Sequence, residues 1–280
     1  MINCPYLVID EAAFFAQIAG AKQKKFRDIL NPIQPRIVTA YQNYLHDFPA
    51  LLAQDNSEFT EQEADVREAL LKCYSVNTQP WLAFKKSYLA GLPAGLKLFC
   101  PYCMLDRPRT WDHYVGKEEF PEFAVLTKNV IRTCWHCNHK KRENWRADGR
   151  RIFINYYDDQ ILSLPFLTAD LQVQPGALIP AVRFDLVQPA GMSDDDFALV
   201  SSHFTILELL IDYEDRANSL LSSEIAVIDQ FWRAGLTKEV MLNIIAVKAN
   251  DSVFKFGTNY WETVLYRTMA AQIDLILGLI

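Results

Sequence analysis

Two Cys-x-x-Cys pairs, Cys100/Cys103 and Cys134/Cys137, stand with 30 residues between Cys103 and Cys134. Zinc prefers a tetrahedral set of soft ligands, and each Cys-x-x-Cys turn supplies two thiolates at the right bite. Four thiolates fill the shell of the metal, so such a site is structural: it pins the two ends of the intervening loop and leaves no open position for water or substrate. Inside that loop lies Asp112-His113, wedged between Trp111 and Tyr114. A metal already satisfied by four cysteines has no use for this pair. A hydrogen-bonded surface turn is the plain reading of an Asp-His dipeptide; a reactive group is the other.

The spacing around the pair favours chemistry. His113 lies 16 residues before Asn129, and Asn129 lies nine before Asn138, which directly follows Cys137. The unit "WDHYVGKEEFPEFAVLTKNVIRTCWHCNHKKREN" resembles the HNH endonuclease family, in whose zinc-stapled branch one Cys-x-x-Cys precedes an Asp-His strand and a second opens the helix. Weaker flanking likenesses are "ALLKCYSVNTQPW" and "FGTNYWETVLYRTMA". The resemblance implies a ββα-metal core that hydrolyses phosphodiester bonds, most readily in DNA. In it His113 acts as the general base, a role that suits an imidazole titrating near working pH. Asp112 and the side-chain oxygen of Asn138 hold one divalent cation, Mg²⁺ or Mn²⁺, because hard oxygen ligands suit that ion. Asn129 braces the loop that aims the histidine. Asparagine at the helix metal position is a departure from the commoner histidine and argues against a soft metal there.

The segment "KKRENWRADGRR" begins with Lys140, Lys141 and Arg142, which are expected to touch a nucleic-acid backbone; a polar helix face is the alternative. His139 reads as a further ligand, a phosphate contact or a solvated helix residue, and His136 as exposed surface. Trp111, Tyr114, Phe120 and Phe123 are expected to pack around the small core.

Charge supports the same focus. The chain carries a net charge of −6, yet residues 97–151 hold 12 Lys+Arg against 7 Asp+Glu, a balance of +5, so the remainder is near −11. A basic island in an acidic protein suits local contact with phosphate. Of the six cysteines, Cys4 and Cys73 stand outside the pairs and read as buried filler. No segment approaches a membrane span and no early run has the form of a signal peptide, so a cytoplasmic protein with reduced thiols is expected.

The elements that must position these residues read as α+β and mostly helical. Residues 1–95 form a helical region: an apolar-periodic run from Asp10 to about Leu30, interruption at Pro32 and Pro35, a second run to His46, and a helix to Tyr74 behind the capping-box residues Thr60 and Glu63. Residues 96–151 form the small module. Residues 152–280 begin with an antiparallel hairpin about Pro175-Gly176 and continue as helices, with Ser193 capping the first, Gly235 and Gly257 separating others, and Asn259 with Glu262 capping the last. The long helical parts suit a protein partner. Stand-alone bacterial HNH proteins of this size resemble nuclease subunits of Septu-type anti-phage systems, which pair with an ATPase. The rival expectation is a catalytically silent zinc-stapled protein that binds nucleic acid or a partner.

Overall fold

Asp10 starts the first helix by accepting the Ala13 amide at 2.9 Å, and α1 spans Glu11–Gly20. The computed structural model describes residues 1–173 and 180–280; the Pro175-Gly176 turn lies outside the described residues. Helix α2, Lys24–His46, runs straight through Pro32 and Pro35, so the expected interruption there is corrected. Both prolines are exposed, while Leu30, Ile33, Ile37, Tyr41 and Tyr44 form the buried face. Carbonyls that lose an amide partner on the outer face are solvated, and packing of the inner face holds the helix together. The chain breaks earlier instead, at residues 21–23, where Lys22 turns inward. Its ammonium donates to the carbonyls of Lys72 and Val76, each at 2.5 Å, and so closes the C-terminus of a later helix, α4.

Next come α3 (Phe48–Ala53), α4 (Ala64–Ser75), α5 (Gln79–Gly91) and α6 (Ala94–Leu98). Thr60 makes no side-chain cap, and Glu63 instead takes the Arg36 guanidinium at 2.7 Å, so the capping box does not form. Strands β1 (Thr110–His113) and β2 (Val130–Thr133) pair antiparallel, with Trp111 opposite Arg132 and His113 opposite Val130. Helix α7 (Trp135–Lys141) follows at once, then a minimal hairpin, β3 (Arg146–Ala147) with β4 (Arg150–Arg151). These elements, from Cys4 to Tyr157, make one unit. Its interior is aromatic: Trp81 stacks on Phe84 with centroids 5.2 Å apart, and Tyr44 meets Phe123 edge-on at 5.1 Å. Tyr114, Phe120 and Phe123 are buried and Trp111 is half-buried, as packing groups.

The second unit comprises Met1–Asn3 and Asp158–Ile280. Strands β5 (Leu167–Gln172) and β6 (Ala181–Leu186) pair antiparallel and lie on helices α9 (Leu209–Arg233) and α11 (Trp261–Ala271). Helices α8 (Asp194–Leu207), α10 (Lys238–Phe256) and α12 (Ile273–Leu277) complete it. Ser193 caps α8 by accepting the Asp196 amide at 3.1 Å. Asn259 caps nothing: it is buried, accepts the amides of Phe166 and Leu167, and donates to the carbonyls of Leu162 and Leu164, pinning the entry to β5. No helix among the described residues is long and apolar enough to cross a membrane.

One buried acid in the loop between β1 and β2 makes the first unit sensitive to pH. Glu122 is 2% exposed and accepts a hydrogen bond from Ser57 Oγ at 2.6 Å; burial pushes its carboxyl up to about 7. A carboxyl whose folded pKa is raised binds its proton more tightly folded than unfolded, so its contribution is full below the unfolded value and fades as pH rises to about 7. Glu122→Gln should therefore melt higher than the wild type at pH 8, by roughly 1–3 kcal/mol in stability, and the difference should vanish near pH 4.5. Melting curves of both proteins across that range test this; a gap independent of pH would assign the effect elsewhere.

Candidate functional site

The four paired cysteines converge. All are buried, and their sulfurs lie within 4.8 Å of one another. Sulfurs at the corners of a tetrahedron with metal–sulfur bonds of about 2.3 Å stand about 3.8 Å apart. The Cys103 and Cys134 sulfurs are 3.9 Å apart. Four buried cysteines so placed can hold a metal such as zinc. The turns are built for it: the Cys137 amide donates to Cys134 Sγ at 3.4 Å, and Met104 adopts φ 54° as the chain rounds the first pair. The cluster joins the loop before β1 to the N-terminus of α7, the two elements that flank Asp112.

Asp112 is 3% exposed. Its Oδ2 accepts the Tyr102 hydroxyl at 2.9 Å and faces the Lys141 ammonium at 3.4 Å. Burial pushes this carboxyl up, and Lys141 and Tyr102 pull against that shift. Lys141 is fully buried and also donates to the His113 carbonyl at 2.6 Å. Its expected place on a nucleic-acid contact face is therefore corrected, since an enclosed ammonium paired with a carboxylate cannot meet a phosphate backbone. The sequence carried the signal. Lys141 follows Cys137 by four, so both lie on one face of α7, and Cys137 must point inward.

His113 is 6% exposed, and its Nε2 lies 2.9 Å from the Ala124 carbonyl. A carbonyl only accepts, so that contact assigns the proton to Nε2 and makes Nδ1 the basic nitrogen. Burial pushes the imidazole down to about 3, which keeps it neutral. The Tyr74 ring covers it edge-on at 4.4 Å. Asn129 is wholly buried and braces the loop that carries Ala124. Its Oδ1 accepts the Val115 amide at 2.7 Å and the Tyr44 hydroxyl at 3.2 Å, and its Nδ2 donates to the carbonyls of Val115 and Phe123. The loop also approaches the chain after α7 so closely that a Cβ on Gly116 would stand 2.7 Å from the Glu143 carbonyl oxygen.

Asn138 is half-buried on α7, and its Nδ2 donates to the Trp111 carbonyl at 3.3 Å, so its oxygen is the atom available as a ligand. Lys140 is half-buried and Arg142 exposed. His136 is exposed, and His139 lies flat against exposed Trp135 with centroids 4.8 Å apart. The structure thus brings Asp112 and Lys141 together, with Asn138 reaching the β1 backbone one residue before Asp112, and brings His113, Asn129, Ala124 and Tyr74 together on the loop side. Tyr102, Tyr74 and the Ala124 carbonyl were missed in the sequence. Tyr102 lies within the first Cys-x-x-Cys turn, which places it beside β1 once that turn is pinned; the other two carry no sequence signal.

Cys4 and Cys73 are buried outside the cluster, and burial pushes each thiol up to about 12, as inert packing groups.

No family model and no solved structure matches the chain. It is similar to protein ea31 of Escherichia phage lambda, with 23% identity over 193 residues. That match spans 64% of this chain and 64% of the phage protein, somewhat less than two thirds of its length.

Protein purified without added metal should carry about one zinc per chain, and Cys134→Ser should lose it together with much of the stability of the first unit, because metal binding of this kind is coupled to folding. Elemental analysis beside melting curves reads both. A well-folded wild type with far less than one zinc per chain would overturn the assignment.

Proposed function

We propose that the chain is an HNH-type nuclease hydrolysing phosphodiester bonds, with DNA as substrate. One observation carries this reading: a histidine on β1, neutral and held in one tautomer by a loop carbonyl, stands next to a buried carboxylate at the junction of a strand pair and a cysteine-pinned helix. His113 would take a proton from the attacking water at Nδ1. The Ala124 carbonyl would steady the imidazolium so formed by accepting from Nε2, and Asn129 would keep that carbonyl in place. The donors Asp112 and Asn138 suit Mg²⁺ or Mn²⁺, which when bound would supply charge neutralisation at the scissile phosphate. The four-cysteine metal would be a structural zinc that sets the angle between β1 and α7. The acidic helical regions suit a protein partner, and the likeness to Septu-type subunits suggests an ATPase.

A second reading has its own support. Lys141 already compensates Asp112, and Tyr74 covers His113, as expected of a zinc-stapled binding protein whose site is silent. The two readings differ in what His113 does. In the nuclease, His113→Ala should lose about two to four orders of magnitude in cleavage rate while zinc content, melting and nucleic-acid affinity stay near the wild type. The measurement is cleavage of plasmid and single-stranded DNA with Mg²⁺ or Mn²⁺. A wild type that cuts, beside a His113→Ala that cuts equally well, would sink the proposed mechanism.

The ammonium and a divalent cation compete for Asp112. Lys141→Met leaves a buried carboxylate without its partner, which typically costs about 3–5 kcal/mol. In the nuclease reading, Mn²⁺ should restore part of that loss, while the wild-type melting temperature should respond far less. A Lys141→Met protein indifferent to Mn²⁺ would show that Asp112 takes no cation.

A further inference from the structure

Three cations of the basic module are neutralised by neighbouring carboxylates. Lys117 pairs with Glu118 and Glu143, Lys141 with Asp112, and Arg146 with Glu119. A group of cations without ion pairs gathers elsewhere. At the far end of the strand pair, Lys97, Arg107, Arg109 and Arg132 line a cavity of about 650 Å³, and no acidic residue lines it. Among the described residues none of the four makes an ion pair. Lys97, Arg107 and Arg109 are exposed and Arg132 is half-buried. One wall is apolar, with Leu89 from α5 and Leu96 from α6.

The cavity is preorganised. The Arg109 amide donates to the Thr133 carbonyl at 2.9 Å and so extends the β1–β2 pairing by one residue. Arg132 Nε donates to the Pro108 carbonyl at 2.9 Å, and its guanidinium lies over the Trp111 ring at 5.7 Å. Arg107 and Arg109 sit between the first cysteine pair and β1, a segment tied at both ends. Four unpaired cations converging on a concave site in a protein of net charge −6 call for a polyanion, because like charges held together without counter-charge raise the folded-state energy unless an anion binds.

We propose that this cavity binds the phosphates of a single nucleic-acid strand, with an unstacked base or sugar against the leucine wall. A convex duplex surface cannot enter such a concavity, whereas one nucleotide of a splayed strand can, and apolar contact with unstacked bases is how single strands are held. The placement also fits the nuclease reading, on which the identity of the strand as substrate rests. Arg109, Trp111 and His113 alternate along one strand and so share a face, and four residues of strand separate Arg109 from His113 by about 13 Å. The cavity would grip the strand a few nucleotides from the bond that His113 addresses.

The test reads binding alone, in EDTA, so that no cleavage enters it. A fluorescein-labelled single-stranded DNA 20-mer is titrated with wild type and with Arg107→Ala/Arg109→Ala by anisotropy at several salt concentrations. Each phosphate contact on a single strand contributes about 0.7 to the slope of log affinity against log salt. Losing two should flatten the slope by about 1.4, so a rise from 50 to 200 mM salt should cost the variant about sevenfold less affinity than the wild type. Lys24→Ala/Lys25→Ala, on the exposed start of α2, should leave the slope unchanged. Melting curves confirm that the variants fold. An unchanged slope in the arginine variant, equal affinity for the blunt duplex of the same sequence, absence of wild-type binding, or displacement of the strand by micromolar AMP would each overturn the proposal, the last in favour of a free nucleotide. A protein that shows the slope difference yet, with Mg²⁺ or Mn²⁺ in place of EDTA, cuts neither plasmid nor single-stranded DNA would instead sink the nuclease reading and leave this site standing.

Discussion

A carboxylate cannot be taken out of water without a partner, and Asp112 is almost completely buried. Its compensation comes from two directions: the Tyr102 hydroxyl from within the first Cys-x-x-Cys turn, and the Lys141 ammonium from the last turn of α7. Neither element is long enough to hold its own position, since the turn is irregular and α7 has seven residues. The cysteine cluster supplies what is missing, joining the turn to the start of α7 at the other end of the helix from Lys141. The cysteine cluster and the buried ion pair are therefore two ends of one device. Loss of the cluster would free Tyr102 and Lys141 to drift and strand the charge they enclose. That coupling explains why a module so small contains a buried Lys–Asp pair, which on its own contributes little net stability.

The same logic extends to His113 through a different set of bonds. Its ring is held by a loop carbonyl, the loop by Asn129, and Asn129 by the Tyr44 hydroxyl of α2. Ser57 fixes Glu122 in the same loop, and Tyr74 of α4 closes over the imidazole. The helices before the module thus form the wall and roof of the site, and they belong to the same unit. A histidine enclosed in this way is depressed in pKa because the charged form has lost its water.

How much of this could be read from the sequence depended on whether a residue acts through its type or through its surroundings. Cysteine pairs announce themselves because few other roles need thiols at that bite, and the structure brings the four sulfurs together. The strand pair and the helix after it were legible only as what the resemblance to the HNH core implies. Pro32 and Pro35 misled because proline forbids a hydrogen bond but not a helix whose buried face is intact. Thr60 with Glu63, and Asn259 with Glu262, have the spacing of caps, yet Arg36 claims Glu63 and the entry to β5 claims Asn259. Local patterns state what a side chain is able to do; a distant partner with a stronger claim decides. Lys141 is the sharpest case, a residue counted with the surface charges that is the most enclosed cation of the site.

Charge shows the same distinction at the scale of the module. The balance of +5 over residues 97–151 is a sum, and a sum does not say where the field is. Pairing removes Lys117, Lys141 and Arg146 from it, the last two in the stretch that looks most basic in the sequence. Among the cations outside those pairs, Arg107, Arg109, Arg132 and the neighbouring Lys97 gather at the end of the strand pair. At physiological ionic strength the field of an exposed charge fades over about 8 Å, so the acidic remainder of the chain does little to cancel a cluster of four within one cavity. An acidic protein can therefore present a strongly positive site. The approach of a polyanion is decided by which cations keep no carboxylate of their own, rather than by the net charge.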